Sequence, residues 1–428
     1  MARSIAVAAL QLAAHDRGDF LMGRKRALDA ARLASREADL LVLPEATFPA
    51  YVLGKAPLAA HETQDAIEGL RAIASETHTV IVAGAAILRD GRAQNAALVI
   101  DADGSLAGHA DKLFLWHFDR QWFESGQRLA PVQTKIGILG VLICADGRLP
   151  TISRALVDRG AEALVMPTAW VTSGRNPEAL ENVQADLLAR VRAYENGVPF
   201  VAANKCGSEL AMVAYCGKSQ IVDSAGEIVA LANERAPETL HATVALAEGR
   251  PVRAAASRPP VRQNLASAPL RLAIAYESLP DDIDERLDLL DDAFALSSAD
   301  PARRELLDQT VPLASVVDET VLDPGGLVPY RRAGCVLFCW STALRPPWLE
   351  RVARARAVEL RVYLVVFDRP ARRAFAVDPD GTIVAGTFDE YRLASFTFDP
   401  RKTAETIVAP GTDVAEGLDR IEALVADV

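Results

Sequence analysis

Cysteine is scarce: five in 428 residues, an odd number with no CxxC pair. That scarcity argues against both a disulfide framework and a zinc knuckle. Cys335 and Cys339 lie four apart in a strand-like run with no histidine nearby, and read as core. Basic charge is also short. The formal net charge is −11, and no basic stripe of the kind a phosphate backbone requires can be traced, so nucleic acid is not an expected partner. No uninterrupted apolar run approaches the roughly 20 residues of a membrane span, so no membrane is expected either. The opening MARSIAVAALQLAAHDRGD is short in apolar length and runs into charge, which reads as a first strand rather than a signal peptide. The default compartment is then a reducing cytoplasm. What remains is a chain 50% hydrophobic and 24% charged, the composition of a soluble globular protein, long enough for two or three domains.

Strand-like runs alternate with helical ones through the first 250 residues, the pattern of a layered α/β domain. Residues 4–12 read as a buried strand. Residues 20–37 read as an amphipathic helix with Leu21, Ala27, Ala30, Ala31 and Leu33 on one stripe. A second strand, DLLVLPEATFPAY (39–51), breaks at Pro44 and places Glu45 at its mouth, as either a solvated turn residue or a tuned acid/base group. Further strands are expected at 79–88, at 93–101 paired with 105–112 around a DADG turn, at 163–170, at 198–205 and in a hairpin over 219–230. A helix is expected over 66–76 and a long one over 177–196. Lys112 ends the strand 105–112 and opens an aromatic segment, KLFLWHFDRQWFESG, whose rings line a pocket or fill a core corner. The apolar run 138–143 ends in Cys144, followed at once by polar and turn residues. Open α/β sheets place their ligands at such carboxyl ends, although a lone free cysteine is more often a small buried hydrophobe.

Taken together, Glu45, Lys112 and Cys144, each at a strand end, resemble the Glu-Lys-Cys triad of the nitrilase superfamily, the carbon-nitrogen hydrolases. LPEATFPAY is similar to the family's LPE block, DKLFLW followed by WF..G to its lysine block, and GVLICADGRLP to its nucleophile block. RAYEN (192–196) with Asn204, and GKSQIVDSAGEIVA (217–230), resemble two downstream landmarks. The likeness covers nearly all of residues 4–250. It implies a four-layer α-β-β-α sandwich, Cys144 as nucleophile, Glu45 as general base and acid, and Lys112 with the backbone N–H of Ala145 as oxyanion donors. No metal or organic cofactor is implied, and the substrate is a small-molecule amide. A further family acid has two candidates here, Asp119 and Glu124. Ala145, where the family often has an aromatic residue, leaves room beside the sulfur. Trp170, ending the strand 163–170, is a candidate substrate contact. Asp146 resembles the amidase and carbamoylase branches rather than the nitrilases proper, so amide or ureide outranks nitrile. Arg148 sits where carbamoyl-amino-acid hydrolases also have arginine. Its fork suits a substrate carboxylate, or it pairs with an acidic neighbour or a helix end. The competing readings are a glutaminase module, an acyltransferase and a pseudoenzyme. The first two would need a phosphate-cradling loop or membrane spans, respectively, and neither is found.

The remainder resembles a worn copy of the first half. RAVELRVYLVV (356–366) matches RAYENGVPFVA (192–202), and DPDGTIVA (378–385) matches DSAGEIVA (223–230). The copy has no LPE or lysine block, and ungapped anchoring puts Val316 where Cys144 stands. The expected organisation is a hydrolase domain over 1–255, a linker over 256–270 and a smaller degenerate α/β copy over 271–428. The copy is expected to serve as an intrachain pseudo-partner, with homo-oligomerisation left open.

Overall fold

The computed structural model describes residues 3–172, 178–247, 268–277, 294–387 and 393–426. They form two compact units, Met1–Pro251 with Ala409–Thr412 and Glu416–Val428, and Val252–Val408 with Asp413–Ala415. The expected linker lies largely outside the described residues. The second part also ends earlier than 428, because the segment from Glu416 belongs to the first unit.

In the first unit, strand Ser4–Ala13 runs parallel to Leu40–Val42 on one side and to Lys205–Glu209 on the other. Beyond Leu40–Val42 the sheet continues through Val80–Arg89, Arg92–Ile100 and Leu106–Asp111. The second sheet runs Ile228–Leu231, Gln220–Val222, Phe200–Ala203, Ala163–Pro167, Gly137–Val141, Val132–Thr134. Leu40–Val42, Ala163–Pro167 and Phe200–Ala203 are buried at every residue. A strand covered on both faces has no reason to alternate, which is why these read as unbroken apolar runs. The two sheets pack face to face, Val80–Arg89 on Ala163–Pro167 and Ser4–Ala13 on Phe200–Ala203. Helices Phe20–Ala34 and His61–Thr77 cover one outer face, and Pro150–Asp158 and Ala189–Asn196 the other. This is the expected four-layer α-β-β-α sandwich.

Three local expectations change. The buried stripe of the first helix is Gly23, Ala27, Ala31 and Ala34, whereas Leu21 and Leu33 are 57% and 70% exposed. Small residues let the helix approach the sheet closely, and that spacing outranks side-chain size. The second strand is only Leu40–Val42, because Pro44 and the turn after it end the pairing. The long helix begins near Gln184 with a wide turn, Gln184–Leu188, before Ala189–Asn196; Pro177 lies outside the described residues.

The second unit repeats part of this plan. Leu270–Ala275 runs parallel to Phe294–Ser297 and antiparallel to Leu393–Phe398, as Ser4–Ala13 does with Leu40–Val42 and Glu238–Ala245. A five-stranded sheet, from Leu313–Val316 through Leu337–Thr342, Tyr363–Asp368 and Arg373–Val377 to Ile383–Gly386, repeats the order seen from Gly137–Val141 to Ile228–Leu231. Both end in a hairpin with a register shift before the turn, at Ile221/Val222 and at Ala376/Val377.

Candidate active site

Four buried side chains from three separate segments meet at one end of the sandwich. Glu45 follows Leu40–Val42, and its backbone N–H donates to the carbonyl of Thr168 on the facing sheet at 3.2 Å. Gly84 makes this approach possible: a Cβ there would lie 2.3 Å from the Pro44 carbonyl oxygen and 2.4 Å from Glu45 Cα. One carboxylate oxygen of Glu45, Oε1, accepts from Lys112 Nζ at 2.7 Å and from Asn95 Nδ2 at 2.7 Å. The other, Oε2, is buried without a hydrogen-bond partner among the described residues.

Lys112 leaves the strand Leu106–Asp111 with its backbone N–H on the Asn95 carbonyl. Its ammonium is fully buried and also pairs with Asp119 Oδ2 at 2.6 Å. Asp119 accepts from the Tyr51 hydroxyl at 2.7 Å and from the Trp116 backbone N–H at 2.9 Å. Burial opposes the charge on Lys112. Asp119, Glu45 and Cys144 together outweigh it and hold the ammonium well above its ordinary value. Of the two candidate acids, Asp119 is the one that contacts Lys112, whereas Glu124 is half exposed and pairs with Arg92 at 2.8 Å.

Cys144 opens a tight helical turn, Cys144–Arg148, directly beyond Gly137–Val141. Its φ of +47° lies in the left-handed region, a conformation that costs a non-glycine residue free energy and recurs where a nucleophile is held out from a strand end. Burial, and then the Glu45 carboxylate, push its thiol well above the usual range, while Lys112, Thr168 and the Ala169 backbone N–H favour the thiolate. On balance the neutral thiol is favoured at this position. Asp146, two residues on, is buried and braces the site. It accepts the backbone N–H groups of Leu113 at 3.1 Å, Phe114 at 2.7 Å and Ile143 at 3.0 Å, tying the lysine segment to the nucleophile turn. From the helix side, Arg192 donates to the carbonyls of Gly147 and Arg148 and pairs with Glu195 at 2.6 Å.

The expected substrate contacts are placed unevenly. Ala145 is buried within the nucleophile turn. The Arg148 guanidinium lies 4.6 Å from the centre of the Trp116 ring, stacked beside the lysine segment. Trp170 is fully buried, and its backbone N–H donates to Asn204 Oδ1 at 2.8 Å. Asn204 also binds the Gly217 carbonyl at 2.6 Å, so this downstream landmark joins strand ends. Sequence reasoning missed Asn95 and Tyr51. Asn95 carried a faint signal, an amide directly before the apolar run 96–100 of its strand. Tyr51 carried none. Among the described residues no cluster of His, Cys, Asp or Glu could hold a metal ion, and no helix is long and apolar enough to cross a membrane.

The profile of the carbon-nitrogen hydrolase family matches residues 6–254, more than half of the chain, and the chain belongs to that family. A probable nitrilase of Schizosaccharomyces pombe is 31% identical over 37% of this chain and 56% of its own length. An (R)-stereoselective amidase of a Pseudomonas species is 30% identical over 51% of this chain and 78% of its own. The crystal structure of a carbon-nitrogen hydrolase from Helicobacter pylori G27 superposes with a TM-score of 0.51 at 25% identity, over 57% of this chain and 90% of that one. The match thus spans little more than half the length of the first of these relatives.

Proposed function

We propose that this chain hydrolyses the C–N bond of a small linear amide or N-carbamoyl compound through a thioester on Cys144. The observation that carries the reading is the division of labour on Glu45. One oxygen is held by Lys112 and Asn95, and the other is buried and unpartnered, beside a cysteine that rests as the thiol. Cys144 Sγ attacks the carbonyl carbon as its proton passes to Glu45. The tetrahedral oxyanion is stabilised by the Lys112 ammonium and the Ala145 N–H, charge that is in place before the reaction and needs no reorganisation. Glu45 returns the proton to the departing ammonia or amine as the C–N bond breaks. It then takes a proton from the water that attacks the thioester, releasing the acid and restoring the thiol. Asp119 holds Lys112 charged throughout. The amidase among the relatives supports amide over nitrile, as does the resemblance of Asp146 to the amidase and carbamoylase branches.

The test combines ammonia release from a panel of carbamoyl amino acids, ω-amides, simple amides and nitriles with alkylation of Cys144. Burial, the largest influence on both, pushes the thiols of Cys206 and Cys216 to about 11 and about 12, which makes them internal references. Labelling of Cys144 that is faster than at either, slowed by substrate, is expected, together with loss of at least about 10³-fold in kcat in Cys144→Ser. Labelling no faster than the references, with no hydrolysis in the panel, would refute the reading. Arg148→Ala should raise KM chiefly for carboxylate-bearing substrates, and equal loss on neutral amides would discard a role in specificity.

A further inference from the structure

The segment Lys112–Gly126 carries both Lys112 and Asp119, and its ends are closed by the Gly126 N–H on the Lys112 carbonyl at 2.8 Å. A single guanidinium, from nearly three hundred residues further along the chain, spans that closure. Arg420 donates through Nη1 to the Leu113 carbonyl at 3.3 Å and through Nη2 to the Gly126 carbonyl at 2.7 Å. Two more contacts join the same pieces of the first unit. Gly417 lies so close to Phe114 that a Cβ there would fall 2.6 Å from the ring. Thr412 Oγ1 accepts the His117 N–H at 2.7 Å, and His117 has a φ of +48°. Leu418 and Ile421 are buried on the same helix. The loop is thus held by Asp146 through the N–H groups of Leu113 and Phe114, and by Arg420 through the carbonyls of Leu113 and Gly126.

We infer that Arg420 is a positioning residue: the carboxyl-terminal helix holds the Lys112–Asp119 loop in its working geometry, so that the far end of the chain sets the reactivity of the site. The inference rests on the function proposed above. A guanidinium suits this place because its planar fork reaches two acceptors at once, whereas an ammonium is a point donor that satisfies one. A displacement of an oxyanion donor of about 1 Å can cost on the order of 10²-fold in rate, so loosening one end of the loop should be visible in kcat.

The experiment compares full-length parent, Arg420→Gln and Arg420→Lys by kcat and KM on the best panel substrate, by the alkylation rate of Cys144 from pH 6 to 10, and by Tm. The expected result is a kcat about tenfold lower in Arg420→Gln with KM within about twofold, slower alkylation of Cys144, and partial recovery in Arg420→Lys. If Arg420→Gln does not fold, Thr412→Val carries the same comparison with a loss of about threefold. Parent-like kcat and alkylation in these variants would overturn the inference and leave the proposed function standing. So would a loss that disappears when the assay temperature is lowered in step with Tm, since that marks a purely structural role. A parent whose Cys144 labels no faster than Cys206, and which hydrolyses nothing, would overturn both.

Discussion

Replacing Asp119 by asparagine removes one charge from the buried Lys112 cluster while keeping its shape. The amide oxygen can still accept from Lys112 and from the Trp116 N–H, and the amide nitrogen can donate to the Tyr51 oxygen, so the loss is electrostatic. With an effective dielectric of about 20, unit charges 2.6 Å apart attract by about 6 kcal/mol. Part of that offsets desolvation, and removing one partner of a buried pair costs about 3–5 kcal/mol. With the hydrogen bonds retained, the lower end applies, about 3 kcal/mol of stability. The sign of the pH effect follows from Lys112. Its folded value is held above the ordinary one, so the stabilisation it brings is complete at neutral pH and is lost only as pH rises through that high value. Asp119 is the largest influence holding it there, and burial opposes it. In Asp119→Asn the ammonium should therefore deprotonate at lower pH, and activity should fall earlier on the alkaline side, with kcat at pH 7.5 down by about 10². The assay is kcat and urea unfolding from pH 7 to 10. Glu124→Gln is the control, because its half-exposed pair with Arg92 should be worth no more than about 0.5 kcal/mol. An alkaline limb in Asp119→Asn that coincides with the parent's, or a larger kcat loss in Glu124→Gln, would refute the reasoning.

Two further outcomes follow from the same geometry. Burial raises the Asp146 carboxyl to about 7, against the downward pull of the Phe114 and Ile143 N–H groups and the Lys112 charge. A carboxyl with a raised folded value stabilises below its unfolded value of about 3.9, and loses that contribution as pH rises toward 7. Relative to Asp146→Asn, the parent should lose on the order of a few kcal/mol between pH 4 and 7.5, read from urea midpoints; parallel curves would exclude it. Gly84→Ala places a methyl against the backbone of Pro44 and Glu45, which cannot yield as a side-chain tip can. It should cost about 1–3 kcal/mol of stability and displace Glu45, lowering kcat by about 10², as measured by thermal melts beside steady-state rates.

Most of the sandwich could be read from the sequence because its strands are buried on both faces and so stand out as apolar runs between turns. The candidate site was legible in part: Glu45 after a proline break, Cys144 at a strand end and Lys112 opening an aromatic segment stood out as candidates through the family resemblance, and the fold pairs Lys112 with Glu45. It was not readable where the chemistry depends on a partner distant in the chain. Nothing local separates Asp119 from Glu124. Only the fold shows that one meets Lys112 and the other meets Arg92. Tyr51 and Arg420 were invisible for the same reason, because each acts through atoms reached only by tertiary packing. The helical stripe keeps Ala27 and Ala31 but replaces Leu21 and Leu33 by Gly23 and Ala34, because the close approach of helix to sheet selects for small side chains.

The second unit separates what the scaffold needs from what the reaction needs. Val141 pairs with Val165 and Leu313 with Leu337, the same spacing in both units, so Val316 follows Leu313 as Cys144 follows Val141. The position is filled, yet Val316 is still strand rather than a left-handed turn. The buried Arg356–Glu359 pair, at 2.7 Å, persists with Arg356 on the Val321 carbonyl, as Arg192 holds Gly147 and Arg148. That pair belongs to the fold, since it remains where no nucleophile does. Among the described residues, nothing in the three-stranded sheet answers to the strands Val80–Arg89, Arg92–Ile100 and Leu106–Asp111. Those strands bring Gly84, Asn95 and Lys112, and the loop after them brings Asp119. The contacts that orient and charge Glu45 in the first unit therefore come as one block, and a unit without that block lacks the cation and its counterion together. Restoring a cysteine at 316 alone would supply a thiol without a counterpart of the Lys112–Asp119 pair.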